Sequence, residues 1–260
     1  STMMKRSILS VLLIIPASIN AFSIAPLAQW QLRQKSSSST STLTSTSLAA
    51  IKESTFGMGC FWKPSEELLK IPGVVDTVAG YTGKSDATKA PSYENVCYSR
   101  DWVEGVRVYY DDETISYAQL LDSFFDAQEP RAGSRQYASI IFPNDAKQQG
   151  VATQWLVENK DRARSDGITG QWTTLEPASS FYRAEQYHQR YWQKTRPRVA
   201  SMIACLAIGS GAIDKFTPAV YLGMLHDAAN LAVVLGLLFV ILERKFDTKV
   251  VRLEPGIRLD

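Results

Sequence analysis

Cys60 lies in the run Gly57-Met-Gly-Cys-Phe-Trp-Lys-Pro-Ser-Glu-Glu-Leu-Leu-Lys70, directly after a glycine and before two large aromatic rings. A cysteine in such a place is either a small packed hydrophobe or a nucleophile. Gly57 and Gly59 end a short apolar run, and Pro64 suits the first turn of a helix carrying Glu66, Glu67, Leu68, Leu69 and Ile71. A thiol just ahead of a helix N-terminus faces the positive end of the dipole, so the position predicts a lowered pKa and a thiolate. The other cysteines, Cys97 and Cys205, follow no zinc spacing, and His188 and His226 are the only histidines, so no metal is expected. An odd cysteine count leaves at least one thiol free, which favours redox chemistry over a disulfide scaffold.

The elements that must hold Cys60 alternate between two periodicities. Residues 73–81 and 104–110 read as strands, the second alternating β-branched and polar side chains. Ser116 leads into a helix over 117–127, where Leu120, Leu121, Phe124 and Phe125 recur at helical spacing. Residues 138–142 read as a further strand, and 145–164 as a long amphipathic helix. Strands and helices mixed in this way predict an α+β domain over 51–198, a two-layer mixed sheet with flanking helices. At 260 residues, 45% hydrophobic and a net charge of +2, the chain has the composition of a globular protein with no signature of nucleic-acid binding.

Both ends depart from that pattern. Lys5 and Arg6 precede the apolar run 8–15 and a small-residue stretch, the layout of a signal peptide over 1–21. Residues 22–50 are rich in Ser and Thr, and no acidic residue precedes Glu53, as in an organelle transit peptide. The two in series resemble the bipartite plastid leader of algae whose plastids lie behind extra membranes. After Trp192 the chain turns apolar, first over 199–213 and then over 220–242, leaving a tail at 246–260. The second stretch is long enough to cross a bilayer, which takes roughly 20 residues. Arg196 and Arg198 before the pair, and Arg244 and Lys245 after it, suit a membrane anchor over 199–245, either one apolar helix or a helical hairpin with both ends on one side.

Seven segments, taken in order, carry a family resemblance: Gly59-Cys-Phe-Trp62, Pro72-Gly-Val74, Gly80-Tyr-Thr-Gly83, Pro91-Ser-Tyr-Glu-Asn-Val-Cys97, Glu104-Gly-Val-Arg-Val108, Gln136-Tyr137 and Phe181-Tyr-Arg-Ala-Glu-Gln-Tyr-His-Gln189. Together, from Phe56 to Trp192, they resemble the peptide methionine sulfoxide reductase A family. The resemblance implies a reductase of methionine S-sulfoxide in proteins. Cys60 is the attacking thiolate, and Glu104, Tyr93 and Tyr137 are the proton and hydrogen-bond donors to the sulfoxide oxygen. Phe61 and Trp62 cradle the substrate methyl group. Donation by Glu104 requires a desolvated carboxyl with a raised pKa. No cofactor is implied beyond an external thiol such as thioredoxin, glutaredoxin or glutathione. Glu185 and His188 match a segment near the family's site and are read as structural.

The chain departs from the family's usual pattern in four places. Ser65 stands where the family has a glutamate, and Trp102 where it has a histidine two residues before the catalytic glutamate. The loop between Pro130 and Gln136 is only Arg131-Ala-Gly-Ser-Arg135 and lacks an asparagine-aspartate segment. The Gly-rich tail that carries resolving cysteines is replaced by the apolar stretch, leaving Cys97 and Cys205 as the possible resolving cysteines. The implied reading is a plastid (chloroplast) reductase associated with the thylakoid membrane, its catalytic domain in the stroma. An alternative is an accessory subunit of a thylakoid complex such as a photosystem, with reduced or lost activity.

Overall fold

A computed structural model describes residues 51–160 and 173–256. The two leader segments, the last turn of the helix expected to reach 164, and residues 257–260 lie outside the described residues.

The strand β1 (Ile51–Met58) runs into the Gly59-Cys60 turn, which enters helix α1 (Trp62–Leu69). Strand β2 (Val74–Thr82) is followed by the short helix α2 (Tyr93–Tyr98), and strand β3 (Val103–Asp111) by helix α3 (Tyr117–Ala127). Strand β4 (Ser139–Phe142) precedes helix α4 (Ala146–Glu158), and two short strands follow, β5 (Thr174–Leu175) and β6 (Phe181–Arg183). Helices α5 (Tyr191–Gly209) and α6 (Ala219–Phe246) then lead to strand β7 (Val251–Leu253). The strands form one seven-stranded sheet in the order β5-β4-β1-β3-β2-β6-β7. Only the β4–β5 pair is parallel, so the sheet is mixed and the architecture is the α+β arrangement the periodicities predict.

Local chemistry sets the helix starts. Ser116 accepts from the Gln119 backbone N–H while the Gln119 side chain accepts from the Ser116 N–H, a reciprocal cap that opens α3. Asp145 accepts from the Gln148 N–H at 2.7 Å and opens α4. The apolar stripes of α1 and α3 (Leu68, Leu120, Leu121, Phe124) pack on one face of the sheet against Phe56, Val106, Val108 and Ile141. Glu104 belongs to the same face, because side chains two apart along a strand point the same way and 104, 106 and 108 alternate with 103, 105 and 107.

The apolar extension is built into the fold at both ends. At the entrance, Tyr191 of α5 stacks on Trp62 with ring centroids 3.7 Å apart, and Arg196 pairs with the buried Glu66 at 2.5 Å. At the exit, β7 pairs with β6, Arg107 donates to the Leu253 carbonyl at 3.3 Å, and the Gly256 N–H donates to Glu53 at 3.0 Å. Between these ends α5 and α6 pack side by side, joined by a bidentate Arg198–Glu243 pair at 2.7 and 3.2 Å.

Candidate active site

The register of the central strands brings the thiol and the carboxyl together. Gly57 of β1 lies opposite Gly105 of β3, so the end of β1 that leads to Cys60 runs beside the start of β3 that carries Glu104. The chain turns at Gly59, whose φ of +79° lies in the left-handed region. A Cβ there would also run into the Glu129 backbone carbonyl, and the Glu129 N–H donates to the Met58 carbonyl at 2.8 Å, locking the turn. Cys60 is therefore half-buried at a fixed place, and the next residue's amide points at Glu104.

Glu104 is 2% exposed. One carboxyl oxygen accepts from the Phe61 N–H at 3.2 Å, and the other from the Gln136 side-chain amide at 2.7 Å. Burial pushes its pKa up to about 7, against the lowering effect of those two donors and of the Arg131 guanidinium. The carboxyl can thus carry a proton near neutral pH, as the donor role requires. The same Gln136 amide reaches the Cys97 sulfur at 3.7 Å. Cys97 and Tyr93 lie four residues apart on α2, on one face of it. Burial and the neighbouring Cys97 raise the Tyr93 phenol, while burial and the nearby Glu104 and Cys60 push Tyr137 up to about 12. Both phenols stay protonated donors, and Tyr93, 38% exposed, stands at the solvent edge.

Cys60 differs from the expectation. Its pKa is raised: burial is the largest cause, and Glu104 and Glu129 add to it. The Trp62 backbone N–H and Arg131 oppose the rise without overcoming it. Cys60 precedes the helix cap, Phe61, and burial together with Glu104 and Glu129 outweighs the helix N–H and the Arg131 charge, so the helix terminus does not decide its ionisation. In the unliganded site the proton therefore favours the thiol. Thiolate attack then requires transfer of that proton, and the Glu104 carboxylate that exists above about pH 7 is the nearby base.

The two aromatic residues after Cys60 separate in role. Phe61 is 1% exposed and packs its ring against Tyr81 and His188 in the core, so it does not form an open wall. Trp62 does. Together with Cys60, Lys63, Glu129, Trp192 and Arg196 it lines a cleft of about 310 Å³. Its indole N–H donates to His188 Nδ1 at 2.9 Å, and Tyr191 covers one of its faces. Burial and the nearby Arg244 and Lys194 lower the His188 pKa to about 3, so this ring is neutral and fixes Trp62. Glu185 receives the Tyr81 hydroxyl at 2.8 Å.

Arg131 and Gln136 were not singled out by residue type. Arg131 lies in the short loop, its guanidinium 4.8 Å from the centroid of the Tyr137 ring and its N–H bonded to the Tyr137 carbonyl. The loop that lacks the family's acidic segment thus presents a cation to the site. Ser65, in the position of the family's glutamate, is buried with its hydroxyl on the Trp62 carbonyl at 3.2 Å. Trp102 is buried against Tyr182. Cys205 lies on α5 thirteen residues beyond Trp192, about 20 Å along the helix axis, and cannot visit Cys60 while α5 is intact. Cys97 is the cysteine the structure brings to the site. Among the described residues no cluster of three metal-ligating side chains occurs.

Comparison with known proteins follows the same segment of chain. The sequence model of a family described as peptide methionine sulfoxide reductase matches residues 52–209. A curated relative named "Peptide methionine sulfoxide reductase MsrA", from Methanoculleus marisnigri, is 37% identical over 155 residues, which are 56% of this chain and 91% of the relative. One of the same name from Geobacter sulfurreducens is 36% identical over 154 residues, 56% of this chain and 92% of the relative. The solved methionine sulfoxide reductase A of Corynebacterium diphtheriae is 29% identical over 59% of this chain and 78% of that chain, with a TM-score of 0.49. With its cysteine turn, its buried acid and a family match running from β1 through α5, this chain belongs to the peptide methionine sulfoxide reductase family.

Proposed function

We propose that this chain reduces methionine S-sulfoxide in proteins, with Cys60 as nucleophile and Glu104 as the group that moves the proton. The observation that carries this reading is Glu104, buried, raised to about 7 and held by the amide of the residue after Cys60. In the first step Glu104 accepts the Cys60 proton. The thiolate sulfur then attacks the sulfoxide sulfur, and the proton passes from Glu104 to the sulfoxide oxygen while Tyr93 and Tyr137 donate hydrogen bonds to it. In that adduct the hydroxyl passes to the Cys60 sulfur as the substrate's sulfur–oxygen bond and the new sulfur–sulfur bond both break, so the substrate leaves as methionine and Cys60 becomes a sulfenic acid. Two external thiols then reduce Cys60–SOH, giving back the thiol, one molecule of water and a disulfide of the reductant. Turnover of dabsyl-methionine S-sulfoxide with dithiothreitol tests this, and a rate no higher than that of Cys60→Ser would sink it.

The setting we infer is the thylakoid membrane of a plastid, with the catalytic domain on the stromal side. The acid-poor, Ser/Thr-rich leader supports the plastid. The hairpin of α5 and α6 supports the membrane. Helix α6 has 28 residues, and it is the one helix among those described that is long and apolar enough to cross a bilayer. Polar pairs stand at two levels of the hairpin, the Arg198–Glu243 ion pair and the Asp214–His226 hydrogen bond. From His226 to Glu243 the helix rises roughly 26 Å, close to the hydrocarbon thickness of about 30 Å.

A second reading, favoured by the apolar outer face of α6 (Leu231, Val234, Leu235, Leu238), is an accessory subunit docked on a thylakoid complex such as a photosystem. Purification of thylakoid complexes separates the two settings: stoichiometric comigration with one complex supports the second reading, and recovery in membranes outside any complex removes it.

A further inference from the structure

The helix that walls the Cys60 cleft is also the first helix of the hairpin. Trp192 and Arg196 line the cleft, and Arg198, about half a turn further along α5, makes the ion pair with Glu243 that closes the hairpin's base. From Trp192 to Arg198 the axis rises about 9 Å. This short link is not a tether. Tyr191 stacks on Trp62 and Arg196 pairs with Glu66 on the way in, and β7 joins the sheet through β6 on the way out. A domain clamped at both ends of its anchor keeps one height and one orientation above the membrane.

From this geometry, and resting on the membrane anchor and the reductase activity proposed above, we infer that the Cys60 cleft is held at the membrane surface and that its preferred substrates are methionine sulfoxides in polypeptides bound to that same membrane. The base of the hairpin, with Lys194, Arg198, Glu243, Arg244 and Lys245, has the charge expected at the headgroup level. A cleft about 9 Å above that level is reached by an extended chain of about three residues leaving the bilayer. A substrate held on the same surface gains effective concentration over one free in solution without any additional contact. Freely diffusing proteins gain nothing from the anchor.

The test uses the full chain in liposomes and one peptide carrying a single methionine S-sulfoxide, prepared free and with a dialkyl lipid at one end. The sulfoxide is placed about three, about eight or about twenty residues from the lipid. The expected result is an apparent kcat/KM at least about ten-fold higher for the lipid-anchored peptide than for the free one, largest for the short spacings and declining for the longest. In excess detergent, where enzyme and peptide occupy separate micelles, the preference should vanish. Equal turnover of free and anchored peptide by protein that floats with the liposomes overturns the inference and leaves the anchor standing. A preference that persists in detergent marks recognition of the lipid itself and also overturns it. Failure to float overturns the anchor and the inference together, while absence of turnover on every peptide, including the free one, overturns the reductase reading on which both rest.

Discussion

Burial pushes both Glu104 and Cys60 toward their protonated forms, and the pH behaviour follows from the single proton that the mechanism moves between them. Glu104 must be a carboxylate to take the Cys60 proton that it later gives to the sulfoxide oxygen, so the rate is expected to rise as pH climbs through about 7, and Glu104→Gln should lose that limb together with about a hundred-fold or more of kcat. A pH–rate profile of the two proteins checks both. The same group couples stability to pH. Its folded pKa is raised above the ordinary carboxylate value, so its contribution is fully present below about pH 4.5 and is lost as pH climbs through about 7. Urea denaturation should show the wild type losing roughly 3 kcal/mol relative to Glu104→Gln across that window. The Arg131 charge lowers the Cys60 pKa, so Arg131→Gln should move the midpoint of Cys60 alkylation by iodoacetamide to higher pH. The expectation that Cys60, Glu104, Tyr93 and Tyr137 share a site comes from the order of short motifs. The direction of the Cys60 shift was not legible there, because burial and the acidic groups arriving from β3 and the residue-129 turn are tertiary facts.

At the scale of elements, the site depends on how α5 leans against α1. The Trp62–Tyr191 stack and the Arg196–Glu66 pair hold that contact. Arg196→Ala leaves the buried Glu66 without its cation, and thermal denaturation should show a loss of about 1–3 kcal/mol. Tyr191→Ala should uncover one face of Trp62, costing about 1 kcal/mol beyond the lost area and raising KM more than it lowers kcat. Helix α3 was readable to its ends because Ser116, Gln119 and the stripe through Phe124 each repeat the same instruction. Strands β5, β6 and β7 have two or three residues each, too few for a period of two to show. The return of the chain to the sheet through Val251, Arg252 and Leu253 therefore emerges only from the three-dimensional pairing with β6.

Viewed whole, the molecule combines a buried acid–thiol pair with an apolar hairpin in place of a mobile cysteine-bearing tail. Cys205 is fixed within α5, so the proposed mechanism leaves Cys60 dependent after each turnover on a second thiol, either Cys97 at the site or a reductant from solution. Cys97→Ser should leave steady-state turnover with dithiothreitol within about two-fold of wild type if the external thiol acts directly on Cys60, and lower it if Cys97 takes part. The central claim, Cys60 as the atom that takes the sulfoxide oxygen, is most directly tested by a single turnover without reductant. Full-length protein mixed with a peptide containing methionine S-sulfoxide and a sulfenic-acid trap should yield about one methionine per protein and one trapped adduct, located on Cys60 by mass spectrometry. Methionine formed without an adduct or disulfide at Cys60, or formed equally by Cys60→Ser, would contradict the account.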